Sequence, residues 1–189
     1  QLNECRQFRN RTRRWPSTTI PVWGADKAHW RSAITRWPTV RFSLRDGPPQ
    51  DGIRITGYSN KYRNYCGWAQ MWHYGSGQLK KCEITLNTAH DSLKCGTESE
   101  TITHEIGHCI GIFAHTLDGG IMDSSAAFAS NQITASVRNI LSTLYSLPPG
   151  ASLSAQLPGN LARQPLPQGQ YDRHGDTVIY GGVMFTPQH

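Results

Sequence analysis

The feature that most constrains this chain is a pair of histidines four residues apart, His104 and His108, with Glu105 directly after the first. Residues at positions i and i+4 share one face of an α-helix, so a helix here would aim both imidazoles at one metal ion. Glu105 is poorly placed to be a ligand beside His104, but it is well placed to reach a water on that metal. The same pattern also occurs by chance on surface helices. The flanking sequence is therefore needed to distinguish a metal site from two unrelated histidines.

Signals on both sides of the histidine pair favour a helix over residues 97–111. Thr97 and Glu100 form the S/T-x-x-E pattern of a capping box, which predicts a helix start. Gly111 can take the left-handed conformation that ends a helix and turns the chain. His115 follows four residues later and is the first candidate for a third ligand.

A tight turn at residues 119–123 then presents a methionine, Met122. With this turn, the segment resembles the extended zinc motif HExxHxxGxxH and the Met-turn of the metzincin metallopeptidases. The resemblance covers roughly residues 15–148, and it implies one catalytic zinc ion. It assigns three metal ligands, a general base and a methionine beneath the metal, namely His104, His108, His115, Glu105 and Met122.

The segment departs from the family pattern at the third ligand. The family spacing places that histidine at position 114, which is Ala114, and His115 comes one residue late. Some family members use aspartate instead, and Asp118 is the nearest candidate, so two alternatives stay open. A thermolysin-like site needs a glutamate further along the chain, and none follows Glu105. Some metzincins carry a tyrosine two residues after the methionine, where this chain has Ser124.

The resemblance implies an α+β fold of metzincin type, with a twisted, mixed, mostly parallel sheet, an active-site helix and a C-terminal helix. The pattern of apolar residues predicts similar elements. It indicates a helix from Asp26 to Trp37, two strands around residues 40–44 and 53–56, a hairpin from strands 66–73 and 81–87, and a helix from about Gln132 that Pro148 ends. A last strand is predicted over residues 178–185.

The length of 189 residues fits one domain, and we divide it into a catalytic domain, residues 1–148, and a Pro- and Gly-rich tail, residues 149–189. The net charge of +6 is concentrated partly in a basic N-terminal arm, residues 1–14. No nucleic-acid-binding motif accompanies this arm, so we do not predict a nucleic-acid partner. No apolar run approaches the ~18 residues that a membrane helix needs, which predicts no membrane span.

The five cysteines form no CxxC pairs, which favours disulfides in an oxidising compartment and predicts a secreted protein. The odd number leaves at least one cysteine outside an internal pair. Cys66 and Cys82 lie on the two strands of the predicted hairpin, so they are one possible pair.

The functional prediction from these residues is a secreted zinc-dependent endopeptidase with a protein or peptide substrate. The peptide would lie along the strand at residues 67–74, and residues 123–134 would shape a pocket beside it. Two alternatives remain. One is a binding or adhesion protein of the same fold with little or no activity, and the other is metal-dependent chemistry on a non-peptide substrate.

Overall fold

The computed structural model describes residues 13–25, 27–59, 66–74, 76–88, 97–113, 115–116, 118–123, 131–151, 171–174 and 177–180. Within these residues the elements follow the order β1 Thr19–Gly24, α1 Lys27–Thr35, β2 Arg41–Leu44, β3 Gly52–Tyr58, β4 Gly67–His73, β5 Leu79–Asn87, α2 Glu98–Cys109, α3 Ala135–Ser146, β6 Tyr171–His174 and β7 Thr177–Tyr180. The predicted helices and the predicted hairpin are confirmed, and α3 begins three residues later than Gln132.

Five strands form one mixed sheet in the order β2-β1-β3-β5-β4. The pairings of β1 with β2, β1 with β3 and β3 with β5 are parallel. Strand β4 pairs with β5 in the antiparallel direction, and it lies at the edge of this sheet. The prediction of an α+β chain with a mixed sheet is therefore confirmed.

Strand β1 lies inside the sheet, although the sequence analysis did not predict it. Its residues alternate between buried and partly exposed, with Ile20 and Val22 fully buried. Pro21 interrupts this short run, and a proline argues against a central strand because it cannot donate a backbone hydrogen bond. Two flanking partners override that local signal, since β1 pairs with β2 on one side and with β3 on the other.

The helices α1 and α2 pack together, and α2 also packs against β4 and β5. Two buried tryptophans fix α2 through its backbone. The Trp37 indole N–H donates to the carbonyl of Thr103 at 3.1 Å, and the Trp15 indole N–H donates to the carbonyl of Cys109 at 2.8 Å. Because both acceptors lie within α2, these bonds set the position of the helix along the sheet.

A disulfide joins Cys82 in the centre of β5 to Cys109, the last residue of α2. The predicted pairing of Cys66 with Cys82 is therefore wrong. Cys66 is also disulfide-bonded. Spacing along the hairpin pointed to the wrong partner because the inward face of β5 meets the helix, where Cys82 and Cys109 are both fully buried.

The ends of the chain are only partly described. The predicted strand 178–185 corresponds to β7, and its residues beyond Tyr180 lie outside the described part, as do residues 1–12 of the basic arm. Strands β6 and β7 form an antiparallel hairpin, and β7 lies close to β4. The division into a catalytic domain and a tail stays a prediction. In the described part of the chain, no helix has the length and apolar character needed to cross a membrane.

Candidate metal centre

The start of α2 is fixed by the capping box that the sequence predicts. The Thr97 hydroxyl accepts from the backbone N–H of Glu100 at 3.2 Å, and the Glu100 carboxylate accepts from the backbone N–H of Thr97 at 2.8 Å. Both bonds satisfy donors that a helix start would otherwise leave without partners. The register of the helix is thereby set before the histidines are reached.

The end of α2 is a glycine turn that also holds a histidine. Gly111 has φ of +126°, and a Cβ there would lie 2.9 Å from the carbonyl oxygen of Arg13. The N–H groups of Gly111 and Ile112 donate back to His108 and Gly107, which is the bonding pattern of a Schellman motif. The carbonyl of Ile112 then accepts from the His108 Nδ1 at 2.6 Å. The turn that ends the helix therefore also orients His108.

Three histidines converge at this end of the helix. The Nε2 atom of His104 lies 3.1 Å from that of His108 and 3.2 Å from that of His115. His104 and His108 are buried, and His115 is partly exposed. The structure thus brings together the three histidines that the sequence suggested, and this cluster could hold a metal ion.

The ring orientations favour metal binding through Nε2. The His104 Nδ1 lies 2.6 Å from the carbonyl oxygen of Ile121, and the His108 Nδ1 makes the equivalent bond to Ile112. A carbonyl only accepts, so each Nδ1 carries the proton and each Nε2 presents a lone pair to the cluster. Such outer hydrogen bonds are typical of metal-binding histidines.

The spacing of these lone pairs fits a zinc-sized ion. Two nitrogens bound to a tetrahedral zinc at about 2.0–2.1 Å lie about 3.3 Å apart. The observed separations of 3.1 and 3.2 Å are close to this value. Lone pairs facing one another without a shared proton repel, and a cation between them would remove that repulsion.

Glu105 adds a buried carboxylate beside the ligands. The residue is 2% exposed, and its Oε2 has no hydrogen-bond partner among the described residues. Its side chain passes near β4, because a Cβ on Gly67 would lie 3.7 Å from the Glu105 Cγ. Leaving a carboxylate oxygen buried without a partner is costly, which marks this atom as one with a role outside packing.

Met122 packs directly against α2. A Cβ on Gly107 would lie only 2.3 Å from the Met122 sulfur and 2.9 Å from the Trp37 ring. The methionine is fully buried and reaches the helix one residue before His108. Gly107 was missed as a site residue by the sequence analysis, although a glycine inside a helix is a signal of close approach.

Asp118 lies on the same loop as His115 but is not part of the metal-binding cluster found among the described residues. One carboxylate oxygen accepts from the Thr116 hydroxyl at 2.7 Å and from the Gly120 N–H at 3.1 Å. The other accepts from the Thr134 hydroxyl at 2.5 Å. Both oxygens therefore have partners within the loop and at the start of α3.

The two regions predicted to bind substrate differ in how far the structure describes them. The strand predicted at residues 67–74 is β4, and it lies at the edge of the five-stranded sheet. In the pocket predicted at residues 123–134, positions 124–130 lie outside the described residues. Ala114, the family position for the third ligand, also lies outside them.

The electrostatics of the buried histidine cluster favour neutral imidazoles. Burial lowers the pKa of His104 to about 4, although the Ile121 carbonyl and the Asp123 charge act in the opposite direction. Burial lowers the pKa of His108 well below its ordinary value, and the nearby His104 and His115 act in the same direction. Both rings are therefore neutral at pH 7, which is the form that binds a metal. Burial also raises the pKa of Glu105 well above its ordinary value.

These shifts predict how the stability of the metal-free protein depends on pH. Between pH 4.5 and 6.5 the unfolded chain protonates His104 and His108 while the folded chain does not, so the free energy of unfolding rises with pH. Glu105 acts in the opposite direction, because only the folded chain keeps its proton. Two histidines act against one glutamate, so the free energy of unfolding should rise with pH over this range. Above the ordinary pKa of histidine only the glutamate contribution changes with pH, and it lowers the free energy of unfolding until Glu105 ionises in the folded chain.

Urea unfolding in the presence of a chelator, repeated from pH 4.5 to 8, measures this profile. The Glu105→Gln variant should lose the fall above pH 6.5 and show a steeper rise below it, because Glu105 no longer opposes the two histidines. A wild-type protein that loses stability between pH 5 and 6.5 would contradict the prediction.

The fold and the site together define an α+β chain whose three buried or partly buried histidines could hold a metal ion. No protein-family model matches this chain, and no curated protein matches it either.

Proposed function

We propose that this protein is a zinc-dependent endopeptidase that uses Glu105 as its general base. The observation that carries the proposal is the arrangement at one end of α2. Three imidazole Nε2 atoms converge there, and a buried carboxylate oxygen without a partner follows the first ligand. His104, His108 and His115 would hold the ion with three neutral ligands and leave one position of a tetrahedral site open. Zinc in such a site polarises a carbonyl group and acidifies water.

The chain's own residues would supply the proton transfer. Glu105 would accept the proton of the attacking water and then donate it to the nitrogen of the leaving amine. Burial raises the pKa of Glu105, which makes its ionised form a better proton acceptor. The hydrogen bonds from His104 to Ile121 and from His108 to Ile112 keep both rings oriented during the reaction.

A peptide substrate fits the sheet edge beside this site. Strand β4 lies at the edge of the five-stranded sheet, and an extended peptide can add to a sheet edge by β-augmentation. The helix α2 packs against β4, and Gly67 lies next to the Glu105 side chain. Because β7 also lies close to β4, a peptide that binds there would meet the C-terminal hairpin. Two disulfide-bonded cysteines in β5 and α2 favour function in an oxidising, extracellular environment.

The test combines metal analysis with digestion of a mixed peptide library. The purified full chain should contain or take up one zinc ion, and mass spectrometry of the library should show new internal cleavage products. A chelator should stop cleavage, and added zinc should restore it. Cleavage by the fully metal-free protein would contradict the mechanism. Stoichiometric zinc without cleavage of any peptide would favour the binding-protein alternative.

A further inference from the structure

The loop that carries His115 and Met122 is closed on itself. The N–H of Thr116 donates to the carbonyl of Met122 at 2.8 Å, and Thr116 and Asp123 form an isolated parallel bridge. Between these two residues the chain passes through Asp118. The loop therefore brings the third histidine and the methionine to the site as one unit.

The Asp118 carboxylate lies between the two ends of this loop. Through Oδ1 it accepts from Thr116, the residue after His115, and from the backbone of Gly120. Gly120 directly precedes Ile121, whose carbonyl accepts from His104. One carboxylate oxygen thus binds the residue that follows His115 and the residue that precedes Ile121, the hydrogen-bond partner of His104.

The second carboxylate oxygen connects the loop to α3. Asp118 Oδ2 accepts from the hydroxyl of Thr134, and this hydroxyl itself caps α3 by accepting from the N–H of Val137 at 3.3 Å. The N–H of Ile121 also donates to the carbonyl of Gln132, three residues before α3 begins. The loop packs tightly against the start of α3, because a Cβ on Gly120 would lie 2.4 Å from the Thr134 methyl group.

We propose that Asp118 is a positioning residue of the metal centre, which fixes the His115–Met122 loop against the capped start of α3, and that it is not a metal ligand. The proposal rests on the metal site of the proposed function, but it does not depend on peptidase activity. It also reassigns the residue that the sequence offered as the alternative third ligand. Hydrogen bonds from Thr134, Thr116 and Gly120 outweigh the effect of burial and hold the pKa of Asp118 below its ordinary value, so the acceptor is ionised at neutral pH.

The experiment measures zinc affinity by competition with a chelator in the full chain. Asp118→Asn keeps the shape of the side chain but replaces one acceptor oxygen with a donor, and it should weaken zinc binding about tenfold or more. Thr134→Val should have a similar effect, and Thr134→Ser, which keeps the hydroxyl, should restore nearly wild-type affinity. The double variant Asp118→Asn/Thr134→Val should bind zinc no more weakly than the weaker-binding of the two single variants, because both changes remove the bond between Asp118 and Thr134. Asp46→Asn, an exposed acid far along the chain, serves as the control.

Cobalt spectroscopy distinguishes positioning from ligation. At saturating cobalt, Asp118→Asn should show the same visible absorption bands as the wild type, because the ligand set is unchanged. A changed spectrum would make Asp118 a ligand and overturn the proposal.

Two affinity results would also overturn it. One is wild-type zinc affinity in Asp118→Asn, and the other is additive losses in the double variant, which would mean that Thr134 acts only as a helix cap. If Asp118→Asn does not fold, the comparison of Thr134→Val with Thr134→Ser decides alone, and equal affinity in those two variants contradicts the proposal. A protein that binds zinc as expected but cleaves no peptide would leave this proposal intact and overturn only the proposed function.

Discussion

Replacing Glu105 with glutamine should lower peptide turnover by about 10²–10⁴-fold while the protein keeps its zinc. Glutamine has the size of glutamate but cannot accept the proton of the attacking water. The three histidine ligands are unchanged, so metal content should stay at one ion per chain. Turnover of a cleaved library peptide and zinc analysis of the same preparation measure the two effects.

The matched control is Glu98→Gln, which changes a glutamate of the same helix that lies in its first turn, outside the histidine cluster. This variant should keep nearly full turnover. Glu105→Gln with wild-type turnover would remove Glu105 from the mechanism, whatever the metal content.

Replacing His115 with alanine should cause the second large effect, which is loss of stoichiometric zinc and of all measurable hydrolysis. His115 is one of three Nε2 donors in the cluster, and its removal leaves only the two histidines of α2. The loss of affinity should exceed the 10–100-fold that removal of an outer hydrogen-bond partner typically costs. Equilibrium dialysis against zinc measures it.

Asp118→Asn provides the comparison, because this variant should still be fully metallated at saturating zinc. The reverse outcome, with metal kept in His115→Ala and lost in Asp118→Asn, would show that the aspartate is the third ligand.

Helix α2 could be predicted from the sequence because each of its signals is local. Thr97 and Glu100 mark its start, Gly111 marks its end, and the histidine spacing requires only that the helix forms. The hairpin of β4 and β5 and the helix α3 were predictable for the same reason, since alternation and helical periodicity depend on neighbouring residues.

The remaining features depend on contacts between distant parts of the chain. Strand β1 contains Pro21 and is stabilised by its two neighbours in the sheet, which no local pattern reveals. The partner of Cys82 is set by the packing of α2 on the sheet. The role of Asp118 likewise depends on Thr134, which lies 16 residues away. Sequence showed that Asp118 belonged near the site but not which of its neighbours it would bind.

The disulfide between Cys82 and Cys109 bears on how firmly the three histidines would hold a metal ion. The bond closes a ring of chain that contains His104, Glu105 and His108 and leaves His115 outside it. The bond ties the end of α2, one residue after His108, to the centre of β5, whereas the loop that carries His115 is held by hydrogen bonds. An ion bound by the three histidines would therefore lose its His115 ligand more readily than its two helical ligands, and His104 and His108 would stay in place to bind the next ion.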